Sequence, residues 1–293
     1  MTAVSLWLSW WLSMRSDWRR PESWSLPAEG ERRIKLVISY DGAAYHGWQS
    51  QDGVVSVQSE LSAVLSSVLE KETMAYASGR TDSGVHALGQ CCHFDTSSQI
   101  DPEKYAVILN TRLPKTIRVR SSELAPEGFH ARFSTMSREY WYLIKRERDM
   151  LPFDDRHVMA LRCEPDISLL NAYATTLIGT HDFTTFASAR DPSESRFRDL
   201  YVSWWDILKD TYGFYVLRYR TAGNAFLYHQ VRSMVGTMLT SMTQGESPEA
   251  FKRRLDAKDR SCALSTAPAD GLYLAEVSYD SSKYQWFEEL YAR

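Results

Sequence analysis

Apolar residues recur along this chain at two periods. Ile34, Leu36, Ile38 and Tyr40 alternate with more polar positions, the pattern of a half-buried strand, and Asp41-Gly42 ends the run as a turn. Ser56 is a helix N-cap residue, and after it Val57, Leu61, Val64, Leu65 and Val68 form one helical stripe. Residues 90–95 read as a strand. Asp101-Pro102 predicts a cap and a first-turn proline for a second helix running through Leu109. Ile117 and Val119 alternate with Arg118 and Arg120, a strand with a basic outer face.

The second half repeats this mixture. Residues 139–145 (EYWYLIK) are β-formers. Leu169, Leu170, Tyr173, Leu177 and Ile178 have helical spacing over 168–178, stopping at Gly179. Runs 201–208 and 214–221 flank a turn and predict a hairpin. From about Tyr228, Val231, Met234, Val235, Met238 and Met242 share a helix face, and residues 271–279 read as a late strand. Hairpins among mixed elements favour α+β with antiparallel sheet over a doubly wound parallel sheet.

The first 33 residues differ from the rest. Residues 6–14 (LWLSWWLSM) are apolar, and Trp7, Trp10, Trp11, Trp18 and Trp24 crowd the segment. No Lys or Arg precedes Leu6, so the run lacks the basic start of a signal peptide, and it is too short to span a bilayer. It is read as a loosely ordered tail, or as the product of a start codon placed too far upstream. Pro21, Pro27 and Gly30 mark a linker. With no other run of transmembrane length, a cytoplasmic protein that does not enter membranes is expected.

Composition narrows the function classes. The 293 residues contain 34 Lys+Arg and 37 Asp+Glu, a net charge of −3, which excludes a polybasic nucleic-acid coat but not a local basic groove. Hydrophobic residues make up 44%, enough to build a core and to exclude wholesale disorder. Cys91, Cys92, Cys163 and Cys262 form no C-x-x-C pair and are expected as reduced thiols. The seven histidines show no H-x-x-x-H spacing, so no zinc site is expected.

Three segments carry candidate chemistry. In 79–87 (GRTDSGVHA), Asp82 has a cation two residues away and hydroxyls on both sides. Those neighbours favour an ionised, oriented carboxylate, fit to act as nucleophile or general base; an Asx-turn residue serving only the loop is the equal alternative. In 137–142 (SREYWY), Tyr140 and Tyr142 share a strand face opposite Trp141; an aromatic beside arginine suits base stacking, whereas the pattern alone favours a core strand. In 223–232, Arg232 lies beside an apolar helix stripe, placed either to reach a buried carboxylate or to face water.

Five blocks in order, YDGAAYHGWQ (40–49), GRTDSGVHALGQ (79–90), FHARFS (129–134), REYWY (138–142) and GNAFLYHQVRSMVG (223–236), resemble the tRNA pseudouridine synthase A (TruA) family, as do His181-Asp182-Phe183 and the GLYL run at 271–274. The resemblance spans about Ile34 to Tyr279. It implies the pseudouridine synthase fold: α+β, two related α/β subdomains with mainly antiparallel sheets flanking a central cleft. The corresponding division is a tail at 1–33, an N-terminal subdomain at 34–133 with the Asp loop, a C-terminal subdomain at 134–282 and an extension at 283–293. It further implies isomerisation of uridine to pseudouridine in the anticodon stem-loop of tRNA, at positions 38, 39 or 40, by a homodimer without cofactor or metal. Asp82 is then catalytic, Tyr140 stacks on the target base, Arg232 pairs with Asp82, and Arg80 helps hold the base out. A catalytically inactive tRNA-binding module is the alternative reading.

Three departures from the family pattern stand out. Ser83 replaces a common alanine, Tyr228-His229-Gln230 replaces paired histidines, and Trp141 replaces a frequent arginine. A positive cleft is expected from Arg80, Arg118, Arg120, Arg132, Arg138, Arg218, Arg220 and Arg232.

Overall fold

The computed structural model describes residues 26–285. The tryptophan-rich run, and with it most of the expected tail and of the C-terminal extension, lies outside the described residues. Strand β1 (Arg32–Tyr40) begins two residues before the first apolar position of its pattern. It is followed by β2 (Tyr76–Ala77), β3 (His86–Thr96), β4 (Ile117–Leu124), β5 (Ser137–Arg146), β6 (Met159–Leu161), β7 (Gly179–Asp182), β8 (Phe197–Lys209), β9 (Tyr215–Gly223) and β10 (Leu272–Ser278).

These strands build one mixed sheet ordered β4-β1-β3-β10-β5-β9-β8-β7, with β2 on β3 and β6 on β5. Most pairs are antiparallel. The late strand β10 lies between the halves of the chain, antiparallel to β5 and parallel to β3 through Tyr273↔His86 and Leu274↔Ala87. The last strand thus closes the seam between β3, which follows the Asp82 loop, and β5, which carries Tyr140.

The helices cover one face of the sheet. Helix α1 (Val57–Leu69) starts in a capping box between Ser56 and Ser59, and its Val57, Leu61 and Leu65 are fully buried. The helix expected after Asp101 is shorter than predicted: a 3₁₀ turn at Pro102–Lys104 precedes α2 (Tyr105–Asn110). Asp166 caps α3 (Ile167–Thr175), which stops short of Ile178 because the chain turns there before Gly179, at φ +110°, opens β7. Helix α4 (Gln230–Thr243) buries Met234, Val235 and Met238 completely, about 1.5–3 kcal/mol for each side chain. Helix α5 (Pro248–Asp256) was not anticipated, although Ser247-Pro248-Glu249 carries a cap, a first-turn proline and an acidic first turn.

Ile34, Leu36, Ile38, Cys92 and Phe94 belong to the main core under the helices, whereas Cys91, Phe129 and Ala131 form a small cluster on the opposite face. This separation is the period of two expressed across a whole sheet. All four cysteines are free thiols.

Candidate active site

The site begins as a loop, residues 79–85, held between β2 and β3. Gln90 of β3 donates from Nε2 to the Gly79 carbonyl (2.9 Å) and accepts from Ser78 Oγ (2.7 Å), fixing the start of the loop. Thr81 shares a 2.8 Å hydrogen bond with the buried Tyr40 hydroxyl, and its carbonyl accepts from Trp48 N–H at 3.1 Å. Segment 40–49 therefore forms the wall against which the Asp82 loop lies.

Two glycines make that contact close. A Cβ on Gly42 would stand 2.0 Å from the Val85 carbonyl oxygen. One on Gly47, at φ +85°, would stand 2.5 Å from the Thr81 oxygen. Any side chain at either position would push the loop away.

The second half of the chain supplies the groups facing Asp82. Arg232, in the first turn of α4, places Nη1 3.4 Å from Asp82 Oδ2, across 150 residues of sequence. Its Nε donates to Ala267 O at 2.8 Å, and its own carbonyl accepts from Ala267 N–H at 3.0 Å, so the guanidinium is anchored from behind. His229 brings Nε2 to 3.4 Å from the same carboxylate oxygen. Asp82 keeps 24% of its side chain exposed.

Tyr140 is 9% exposed, with its ring edge-on to Phe226 at 5.0 Å between centroids. Burial pushes its phenol up to about 12; the Arg138 charge opposes the rise and the Asp82 charge adds to it. The phenol thus lies within electrostatic reach of the Asp82 carboxylate. Arg138 spans the two walls: Nη2 donates to Ser78 O (2.6 Å) and Nη1 to Asn224 O (3.1 Å), tying the start of the Asp82 loop to the segment leading into α4. Burial pulls its guanidinium below the usual range.

The structure brings Asp82, Arg232 and Tyr140 together and leaves Arg80 at the rim, exposed, its Nε bonded to Gln49 Oε1 at 3.1 Å. The expected positive cleft divides. Arg80, Arg138 and Arg232 border the Asp82 loop, but Arg218 and Arg220 project from the opposite sheet face, because β9 pairs them with Leu143 and Trp141 rather than with Tyr140 or Tyr142. There Arg218 is paired with Asp206 at 2.6 Å and Arg220 with Glu139 at 2.9 Å, so neither is free for a cleft. Trp141 lies on that face too, under the Arg218 guanidinium at 4.5 Å. In the sequence His229 stands out only as part of a departure from the family pattern; its left-handed backbone at the N-cap of α4, which no spacing predicts, brings it to Asp82.

Among the described residues one cluster has metal-ligand chemistry: Asp41, His86 and His157. Both ring nitrogens of His86 are engaged with backbone, Nδ1 accepting from Gly42 N–H (3.0 Å) and Nε2 facing Arg156 O (2.9 Å). The ring therefore serves as a brace behind the loop.

The profile of the family described as "tRNA pseudouridine synthase" matches residues 36–134 and 173–280, which contain the Asp82 loop and the α4 segment. The chain belongs to the tRNA pseudouridine synthase family. Among curated relatives, the "tRNA pseudouridine synthase A" of Bacillus subtilis is 40% identical over 252 residues, covering 85% of this chain and 100% of the relative. That of Bacillus velezensis is 39% identical over 251 residues with the same coverage, and that of Listeria monocytogenes is 39% identical, covering 85% and 99%. The tRNA pseudouridine synthase match begins beyond the tryptophan-rich segment.

Proposed function

We propose that this chain isomerises uridine to pseudouridine in the anticodon stem-loop of tRNA, at position 38, 39 or 40, with Asp82 as the catalytic carboxylate. The observation that carries this reading is the pairing of Asp82 with Arg232 across 150 residues of sequence, with Tyr140 near enough for its phenol to feel the Asp82 charge.

The reaction breaks the N1–C1′ bond, turns the uracil and joins C5 to C1′; C5 then loses its proton and N1 gains one. An ionised Asp82 can attack C1′, attack C6 or take the C2′ proton, and the Arg232 guanidinium stands 3.4 Å from its Oδ2. The target must leave its stack, at a cost of a few kcal/mol, and stacking on the Tyr140 ring returns about 1–3 kcal/mol. Arg80, exposed at the rim, is placed to occupy the gap left by the flipped base. No step calls on a cofactor or a metal. The enzyme is read as a cytoplasmic homodimer; among the described residues no helix is long and apolar enough to cross a membrane.

The test uses a tRNA transcript carrying tritium at uridine C5. Wild-type protein releases the label, and Asp82→Asn lowers release at least about 1000-fold while still binding tRNA. Binding without release from any anticodon-arm uridine would establish the inactive tRNA-binding module instead.

A further inference from the structure

His229 has no role in the reading above, yet three features of its surroundings are unusual. The first is its backbone. At φ +63° and ψ +5° it is one of four non-glycine residues in the left-handed region among those described, a conformation that costs about 1–2 kcal/mol without glycine. Its neighbours enforce it. Tyr228 N–H is held by Asp191 Oδ2 and Tyr228 O by Ser188 N–H, while Leu227 N–H is held by Gln230 Oε1 at 2.8 Å.

The second feature is what the side chain does there. It occupies the N-cap position of α4 but makes no capping hydrogen bond. Instead its ring leans on Tyr228, centroids 4.0 Å apart, and points Nε2 at Asp82. The third is which atom it meets. His229 Nε2 and Arg232 Nη1 both lie 3.4 Å from Oδ2 of Asp82, and among the described residues no hydrogen bond reaches Oδ1.

We propose that His229 is a positioning residue: with Arg232 it fixes Oδ2 of Asp82, so that Oδ1 is the oxygen presented to the flipped uridine. This rests on Asp82 being the catalytic carboxylate. The charged groups facing the imidazole are Asp82, Arg232 and Arg260. Burial pulls its pKa below the ordinary value, Arg232 and Arg260 act in the same direction, and Asp82 opposes them. In this role the ring carries its proton on Nε2, the nitrogen that faces Oδ2 at 3.4 Å. The left-handed backbone is what aims it: an ordinary N-cap conformation would turn the side chain toward the first turn of α4.

Glycine separates the backbone from the ring, because it adopts φ +63° without strain. His229→Gly is expected to fold with no loss of thermal stability and to keep its KM for tRNA. Its kcat should fall about 10- to 100-fold, the scale of a misplaced catalytic group, and exogenous imidazole should restore part of it. His229→Asn, which tolerates the left-handed region and offers an amide donor, should retain more activity than His229→Gly. It also carries the test should the glycine variant unfold. Wild-type kcat in His229→Gly, or a raised KM at unchanged kcat, would overturn the proposal; the latter would make His229 a tRNA contact. Wild-type protein and Asp82→Asn run alongside. Tritium release lost in Asp82→Asn but normal in His229→Gly sinks only this inference, whereas no release by wild-type protein sinks the reading of the site.

Discussion

Tyr140 and Tyr142 show how much one residue's environment decides. They are two apart on β5 and point to the same face. Tyr142 is fully buried, its hydroxyl donating to Pro268 O at 2.8 Å; Tyr140 is 9% exposed and its phenol feels the Asp82 charge. Alternation in the sequence could not separate a core tyrosine from a stacking platform, because both obey the same period. The decision comes from Phe226, which backs Tyr140, and from the Asp82 loop, which arrives from another part of the chain. Tyr140→Leu is expected to unfold cooperatively yet to lose about 5- to 160-fold in turnover, as follows from removing about 1–3 kcal/mol of base stacking. Single-turnover kinetics beside a urea melt check it, and near-normal turnover would return Tyr140 to the role of a core aromatic.

The β8–β9 hairpin shows what elements decide. Its existence was legible from two β-forming runs around a turn, but what holds its tip was not. Lys145 of β5, with its side chain 1% exposed, lies 2.7 Å from Asp154 and 2.6 Å from Asp210 at the hairpin turn. Asp210 in turn accepts from the N–H groups of Tyr212 and Phe214. Nothing in the sequence joins a lysine in one strand to aspartates nine and 65 residues away. Removing the cation leaves two carboxylates facing each other, so Lys145→Met is expected to cost about 3 kcal/mol, below the fully buried case because both aspartates retain some solvent. A fall in the urea midpoint at unchanged slope is the expected observation. Register decides the arginines similarly: Arg218 and Arg220 belong to a β-forming run with basic alternate positions, but only pairing with β5 reveals that they point away from the cleft.

At the scale of the molecule, burial of histidines couples the fold to pH. Burial first, then the Arg33 charge, pulls His93 down to about 3 and His130 down to about 4. The unfolded chain binds protons at these groups from about pH 6.5, and the folded chain refuses them until pH is much lower. Their contribution is therefore fully present above about pH 6.5 and is lost as pH falls toward 4. His86 and His229, also pulled down by burial, act in the same direction. Between pH 6.5 and 5 the unfolding free energy should drop steadily. His130→Asn, which keeps an acceptor for the Arg132 and Phe133 N–H groups, should reduce that slope by about one proton. Denaturant titrations at several pH values measure it, and an unchanged slope would show that His130 does not carry the effect.

The sequence by itself determined the elements and the chemistry offered. Alternation and caps are local, so β1, α1, α4 and the hairpin could be read from neighbours a few residues apart, and the spaced blocks pointed to a family and to Asp82. The tertiary structure decided which chemistry meets. Asp82 and Arg232 are 150 residues apart, and only the insertion of β10 between β3 and β5 brings their halves into one sheet. That strand pairing, together with the close approach of backbone at Gly42 and Gly47, depends on long-range register and on space left empty. Neither leaves a periodic signature in the chain.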